Sequence, residues 1–277
     1  MASELRTVRS ADGTTIAYER AGSGPPLVLL GGAFNTRDVG RPLADLLHDD
    51  FTTLLVDRRG RGDSGDALSA HDALTYTVGR ELDDLDAVLD AEVPADGPGA
   101  VVLGFSSGGV LALHAAAAGA HVRALVLYEV PFSIGGLPTP AADAPGRLAR
   151  MIADGHPDDA VATMQREVIG LPAQAVEAAR SSPWWHALEE VAQTVVYDAT
   201  ITAAPNVPTP RMRALDVPSL VVVGRAAWPG LRGAGAALAE QLAHARLVEV
   251  EPGEPAGHGI AAQATADLLR TWVAGLD

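Results

Sequence analysis

The hydrophobic pattern of the chain alternates between short continuous apolar runs and longer amphipathic segments. The apolar runs lie at 27–30, 53–56, 101–103, 124–128, 220–223 and 247–250. Their length and continuity are typical of strands that are buried on both faces. Helical patterns at 41–47, 80–89, 107–118, 234–242 and 260–276 separate most of them. This alternation predicts an α/β fold with a mostly parallel, doubly wound sheet of about eight strands.

The first residues follow a different pattern. Two strand-like segments, 5–10 and 14–19, flank the dipeptide Asp12-Gly13. Asp-Gly between alternating segments is a strong hairpin signal, so the chain is expected to begin with an antiparallel pair.

One long interval contains no strand pattern. Residues 131–213 hold only proline-bounded helical pieces, at 147–154, 159–168, 173–179 and 188–199. We interpret this interval as a helical lid inserted into an α/β core formed by 1–130 and 214–277. A separate second domain is the alternative, but roughly 80 residues with few large apolar side chains would form a thin core.

Composition narrows the possible partners. The 277 residues carry a net charge of −15, which disfavours nucleic acid and anionic membranes. There are no cysteines, the first residues lack a signal-peptide pattern, and the apolar runs are too short to span a bilayer. These features predict a cytoplasmic protein and leave a homodimer open. All 20 basic residues are Arg, which suggests a GC-rich bacterial genome.

The strongest candidate for chemistry is Gly104-Phe105-Ser106-Ser107-Gly108, between a predicted strand and a predicted helix. A nucleophile elbow needs small residues two positions on either side of its serine, and Gly104 and Gly108 satisfy that need. The turn would place the Ser106 hydroxyl near a helix N-terminus, where a developing oxyanion is stabilised. The alternative is a glycine-rich turn that serves only close packing.

With this elbow, the chain resembles the α/β-hydrolase family over essentially its whole length. The segment Val56-Asp57-Arg58-Arg59-Gly60-Arg61-Gly62-Asp63-Ser64 is similar to the one that follows the family's fourth strand, and Gly257-His258 is similar to its C-terminal histidine motif. The resemblance implies the family's fold and hydrolysis through Ser106. We expect Asp57 and the three arginines to shape a loop.

Position singles out one of the eight histidines as the base. His258 alone follows the last predicted strand in a glycine-rich loop, on the edge of the sheet where Ser106 is expected. The alternative is an ordinary loop histidine.

The acid departs from the pattern that the resemblance implies. Most members of the family carry an aspartate just after the seventh strand, but Arg225-Ala226-Ala227-Trp228 contains no carboxylate. Some members take the acid from the end of the sixth strand, where this chain has Glu129. We therefore predict Glu129 as the third member of a triad, with a lid-hinge ion pair as the alternative role. Glu251 and Glu254 are the competitors closest to His258 in sequence.

An oxyanion hole needs a second backbone N–H besides that of Ser107. The loop after the third strand, Gly31-Gly32-Ala33-Phe34, is expected to supply it, with Ala33 first and Gly32 next. The glycines would also permit a tight turn with no catalytic role. Phe34 is predicted to contact the substrate.

Aromatic residues are rare, at 4% of the chain, yet Pro183-Trp184-Trp185-His186 holds two of the four tryptophans. We predict that Trp185 contacts the substrate, with lid packing as the alternative. The elbow, an acid after strand six and a lid tryptophan also resemble the zearalenone-type lactonases, which implies an apolar ring ester.

The sequence thus predicts a serine hydrolase that cleaves an ester or lactone of an apolar small molecule through an acyl-enzyme on Ser106. No metal-ligand spacing and no phosphate or dinucleotide fingerprint is present, so no metal and no cofactor are expected. Two alternatives remain: a non-hydrolytic cyclase or acyltransferase of secondary metabolism, and a ligand-binding protein with an idle triad.

Overall fold

An eight-stranded sheet forms the centre of the molecule in the computed structural model, which describes residues 3–251 and 259–276. The strands are β1 (Glu4–Arg9), β2 (Thr15–Gly22), β3 (Pro26–Leu30), β4 (Thr52–Val56), β5 (Ala100–Phe105), β6 (Val122–Tyr128), β7 (Ser219–Gly224) and β8 (Ala245–Val250). Their order is β1-β2-β4-β3-β5-β6-β7-β8. Strand β2 pairs antiparallel with both β1 and β4, and the other neighbours are parallel. The predicted mostly parallel sheet is confirmed.

Helices cover both faces of this sheet. They are α1 (Arg41–Leu47), α2 (Val78–Glu92), α3 (Ser107–Ala118), α4 (Ala144–Ala153), α5 (Pro157–Thr163), α6 (Ala173–Arg180), α7 (Trp185–Glu190), α8 (Val195–Ile201), α9 (Pro210–Arg213), α10 (Pro229–Gln241) and α11 (Ala262–Val273). Two apolar clusters, one on each face, form the core because alternate residues of each strand point to opposite sides. No helix in the described ranges is long and apolar enough to cross a bilayer.

The sequence pattern predicted the opening hairpin correctly but not the burial of the last strand. The opening hairpin is present, with Gly13 in its turn at a φ of 84°. The run at 247–250 was expected to be buried on both faces, and that expectation is wrong for β8. This strand pairs with β7 alone within the described sheet, and Leu247 is 36% exposed. An apolar run predicts a strand, but it does not predict whether that strand lies in the centre of the sheet or at its edge.

Between β6 and β7 the described elements are all helical, from α4 to α9, with a π-helical turn at Met164–Ile169 and a short 3₁₀ turn at Ala192–Thr194. We call residues 131–213 the helical insertion. Its two connections to the core are joined to each other, since the Asn206 side-chain amide donates to the Pro131 carbonyl at 2.6 Å and the Ser133 N–H donates to the Asn206 carbonyl at 2.7 Å. That the insertion acts as a lid stays a prediction.

The tryptophan pair divides between the interior of the insertion and its surface. Trp185 is 4% exposed, and its indole N–H donates to Asp158 Oδ1 at 2.7 Å. Asp158 is also paired with Arg180. Trp184 is 53% exposed. These contacts of Trp185 are those of the packing alternative rather than of a substrate contact.

Trp185→Ala should therefore act on stability. Removing a buried indole and its hydrogen bond is expected to lower the free energy of unfolding by about 3–5 kcal/mol. Trp184→Ala is the matched control and should change it by less than about 0.5 kcal/mol. Urea unfolding of both variants measures the difference. A stable Trp185→Ala protein whose KM for a bulky ester is raised would instead restore the predicted substrate contact.

Candidate active site

Ser106 lies on the turn between β5 and α3, with a φ of 54° and a ψ of −123°. The turn is possible because the backbone packs closely around it. A Cβ added to Gly104 would lie 2.4 Å from the Gly108 carbonyl oxygen, and one added to Gly108 would lie 2.5 Å from the Leu30 carbonyl oxygen. The Ser106 N–H donates to the Tyr128 carbonyl at 2.9 Å, and its side chain is half-buried. The sequence prediction of a strained strand-to-helix turn matches this geometry.

The loop after β3 lies directly against this serine. A Cβ on Gly32 would come within 2.8 Å of Ser106 Cβ, so any larger residue would push the serine aside. The Gly32 N–H donates to Asn35 Oδ1 at 3.1 Å and is thus already used within the loop. This leaves Ala33 as the better of the two predicted loop donors, together with the Ser107 N–H at the start of α3. Phe34 follows, half-buried.

Strained backbone is concentrated at this edge of the sheet. Among the described residues, the non-glycine residues with positive φ are Phe34 at 64°, Ser106 at 54° and Glu129 at 49°. They follow or end β3, β5 and β6, which are neighbours in the sheet. Such conformations cost about 1–3 kcal/mol each, persist only where the surrounding structure fixes them, and are common at active sites. Sequence patterns do not reveal them at Phe34 or Glu129.

Glu129 reaches across the end of β7. Its N–H donates to the Val222 carbonyl at 2.9 Å, and its Oε1 accepts from the Gly224 N–H at 3.1 Å. The Glu129 carboxylate therefore lies at the end of β7, where residues 225–228 contain no acidic side chain.

Of the other residues predicted to act as acid or base, only Glu251 is described. Glu251 is exposed and lies 2.6 Å from Arg225 Nη1 in an ion pair. His258 and Glu254 lie outside the described residues. The described chain resumes at Gly259, and the Ala261 N–H donates to Tyr128 Oη at 3.1 Å, beside Glu129.

Asp57 holds the loop that follows β4. It is fully buried and accepts from the N–H groups of Arg37 at 2.7 Å and Asp63 at 3.0 Å. Arg59 is bound to Asp84 through two hydrogen bonds of 2.7 and 2.8 Å. These contacts agree with the loop-shaping role expected from the sequence.

Arg58 and Arg61 turn inward and form a buried charge cluster with Glu81 and Asp198. Arg58 binds Glu81 at 2.6 and 2.8 Å and Asp198 Oδ1 at 2.8 Å, while Arg61 Nη2 binds Asp198 Oδ2 at 2.5 Å. All four are at most 3% exposed. Sequence reasoning did not single out either acid. The available signal was the three closely spaced arginines, because arginines in a buried loop require acidic partners.

The charges in this cluster stabilise one another. Burial opposes ionisation, but Arg58 and Arg61 hold the pKa values of Glu81 and Asp198 below their ordinary range. Burial would also lower the pKa of Arg58, yet Glu81 and Asp198 raise it well above normal. For Arg61, burial and the charge of Arg58 prevail and lower the pKa. The cluster thus pairs two arginines with two acids through short ionic hydrogen bonds.

The comparisons with known proteins agree with this fold. The family model described as the alpha/beta hydrolase family matches residues 27–271, and the chain belongs to that family. An alpha/beta hydrolase from Sphaerobacter thermophilus DSM 20745 is 39% identical, with a TM-score of 0.84, over 97% of this chain and 100% of that one. An esterase from Rhodococcus sp. ECU1013 is 25% identical, with a TM-score of 0.67, over 99% of both chains.

A third relative matches only a part of the chain. A pimeloyl-[acyl-carrier protein] methyl ester esterase from Xanthomonas oryzae pv. oryzae is 42% identical over 106 residues. The match covers 38% of this chain and 37% of that protein.

The lowered pKa of Glu81 makes its contribution to stability dependent on pH. A carboxyl whose folded-state pKa lies below its unfolded value stabilises the fold above the unfolded value, and that stabilisation is lost as pH falls through the folded one. Glu81→Gln should cost about 3–5 kcal/mol near pH 7, because it leaves Arg58 undercompensated. The difference between wild type and variant should shrink towards pH 3. Urea unfolding across this range measures it, and a pH-independent difference would contradict the assignment.

Proposed function

We propose that this protein is a serine hydrolase that cleaves a carboxylic ester or lactone through Ser106. The observation that carries the proposal is the strained turn that holds Ser106 between β5 and α3, with Gly32 of the loop after β3 packed directly against the serine side chain. Membership of the α/β-hydrolase family and the resemblance to esterases support it.

In the proposed mechanism, the Ser106 hydroxyl attacks the carbonyl carbon while His258 accepts its proton. The carbonyl oxygen becomes an oxyanion that accepts hydrogen bonds from the N–H groups of Ser107 and Ala33. Collapse of this intermediate breaks the bond to the alkoxy group, which leaves as an alcohol with the proton from His258. Water then attacks the acyl-Ser106 ester by the same route and releases the acid.

Glu129 is proposed as the residue that orients His258 and stabilises its protonated ring. Its support is the position of the carboxylate at the ends of β6 and β7, beside the point where Ala261 returns to Tyr128. The exposed ion pair of Glu251 with Arg225 disfavours that competitor.

For the substrate, we propose a neutral ester or lactone with apolar groups on at least one side of the bond. The net charge of −15 disfavours polyanionic substrates, and the half-buried Phe34 adjoins the proposed oxyanion loop. The helical insertion is proposed as the lid that covers the bound substrate. A product assay separates hydrolysis from cyclisation or acyl transfer.

Ser106→Ala is expected to lower kcat/KM for an aryl ester by at least about 10³-fold, because triad members act as a unit. His258→Ala should lower it to a similar degree. Both variants should unfold at the same urea concentration as wild type to within about 0.5 M. Initial rates and urea curves provide the measurement.

A fluorophosphonate probe supplies an independent test of the nucleophile. It should label wild type and fail to label Ser106→Ala. Undiminished esterase activity in Ser106→Ala would exclude the serine mechanism, and an unlabelled wild type would favour the ligand-binding alternative.

Glu129→Gln should lower kcat by roughly 10³ to 10⁴-fold with little change in KM, because the amide lacks the charge that stabilises the imidazolium. Glu251→Gln is the matched control and should leave kcat within about two-fold of wild type, since it removes only an exposed ion pair. A kcat for Glu129→Gln that also stays within about two-fold of wild type would remove Glu129 from the triad.

A further inference from the structure

We propose that Asp198, from the helical insertion, is a positioning residue for the oxyanion hole. Its carboxylate, in α8, binds the Ser107 hydroxyl directly and the peptide group of the Ala33 N–H through Arg61. Ser107 and Ala33 are the two proposed backbone donors. This proposal rests on the proposed function of Ser106. It gives the helical insertion a second role, because α8 is bound to the core and helps to position the oxyanion hole.

The Asp198 carboxylate is bound directly to the elbow. Its Oδ1 accepts a hydrogen bond of 2.7 Å from the Ser107 hydroxyl. Ser107 is the residue whose N–H is proposed to face the oxyanion. The side chain of Asp198 thus restrains the first turn of α3.

The same carboxylate reaches the loop after β3 through two arginines. Arg58 Nη1, which binds Asp198 Oδ1, also donates to the Gly31 carbonyl at 3.2 Å. Arg61, which binds Asp198 Oδ2, donates through Nη1 to the Gly32 carbonyl at 2.6 Å. The carbonyl of Gly32 belongs to the peptide group whose N–H is that of Ala33. The orientation of that peptide plane sets the direction of the Ala33 N–H.

Burial makes this arrangement rigid. Asp198 is fully buried, and Ser107 is 3% exposed. Charge-assisted hydrogen bonds in such a site are short and strong. An oxyanion hole gains most when its donors are held in place before the reaction begins. The cluster therefore supplies preorganisation and touches no reacting atom.

Asp198→Asn tests the proposal. It keeps the size of the side chain but weakens the ionic hydrogen bonds to Arg58 and Arg61. The N–H groups of Ser107 and Ala33 should therefore move away from their best positions. A lost oxyanion donor costs about 10² to 10³ in kcat, and displaced donors should cost roughly 10 to 100-fold. KM should stay within about two-fold, because the ground-state ester makes weaker use of the hole. The inhibition constant of phenylboronic acid, which forms a tetrahedral adduct with serine, should rise by the same factor as kcat falls.

Tyr197→Phe is the matched control, since it alters the neighbouring residue of α8. Tyr197 donates from its hydroxyl to Asp66 Oδ2 at 2.6 Å and thereby also ties the insertion to the core. Its loss should lower stability without changing kcat or boronate binding. Equal falls in kcat for Asp198→Asn and Tyr197→Phe would show a merely structural role for Asp198.

Ser107→Ala covers the case in which Asp198→Asn does not fold. It removes the 2.7 Å contact and no charge, and kcat should fall about 3 to 10-fold with KM unchanged. If wild type hydrolyses esters while the folded variants at both positions retain its kcat, the positioning role is overturned and the proposed function stands. If wild type neither hydrolyses esters nor binds the boronate, both proposals fall.

Discussion

Two buried arginine charges organise the packing around Ser106. The guanidinium groups of Arg58 and Arg61 are buried, which is tolerated because Glu81 and Asp198 pair with them. They also donate to the carbonyls of Gly31 and Gly32 and to the Thr194 hydroxyl. The two arginines lie in the loop after β4, and their partners come from three other parts of the chain: the loop after β3, helix α2 and the helical insertion. Folding of the insertion is thereby coupled to the geometry of the elbow.

This cluster complements the strain in the backbone nearby. Phe34, Ser106 and Glu129 adopt left-handed conformations that an isolated turn would not keep. Close approach of Gly32 to Ser106, and of Gly108 to the end of β3, leaves the chain little room to relax. Dense packing thus restrains Ser106 itself, and the ionic hydrogen bonds of the cluster restrain the adjacent Ser107 side chain and the Gly32 carbonyl.

Local patterns were sufficient to predict the strands of the sheet and the turn at Ser106, because each depends on residues close together in sequence. The role of Glu129 was inferred from the family resemblance and stays a prediction. Asp198 was not predicted, since its partner Arg58 is 140 residues away and nothing in the helix pattern distinguishes it from a surface acid. The direction of Trp185 was also beyond the pattern, because adjacent residues of a helix start face different ways and only tertiary packing decides which is buried. The edge position of β8 depends on strand order, which apolar runs do not encode.

We propose that this geometry makes Ser106 a nucleophile with a preformed oxyanion hole. A crystal structure of the protein with phenylboronic acid tests it most directly. We expect a bond between boron and Ser106 Oγ, with one boronate oxygen at about 2.7–3.1 Å from the nitrogens of both Ser107 and Ala33. A boronate bound to another residue, or one whose oxygens approach neither nitrogen, would contradict it.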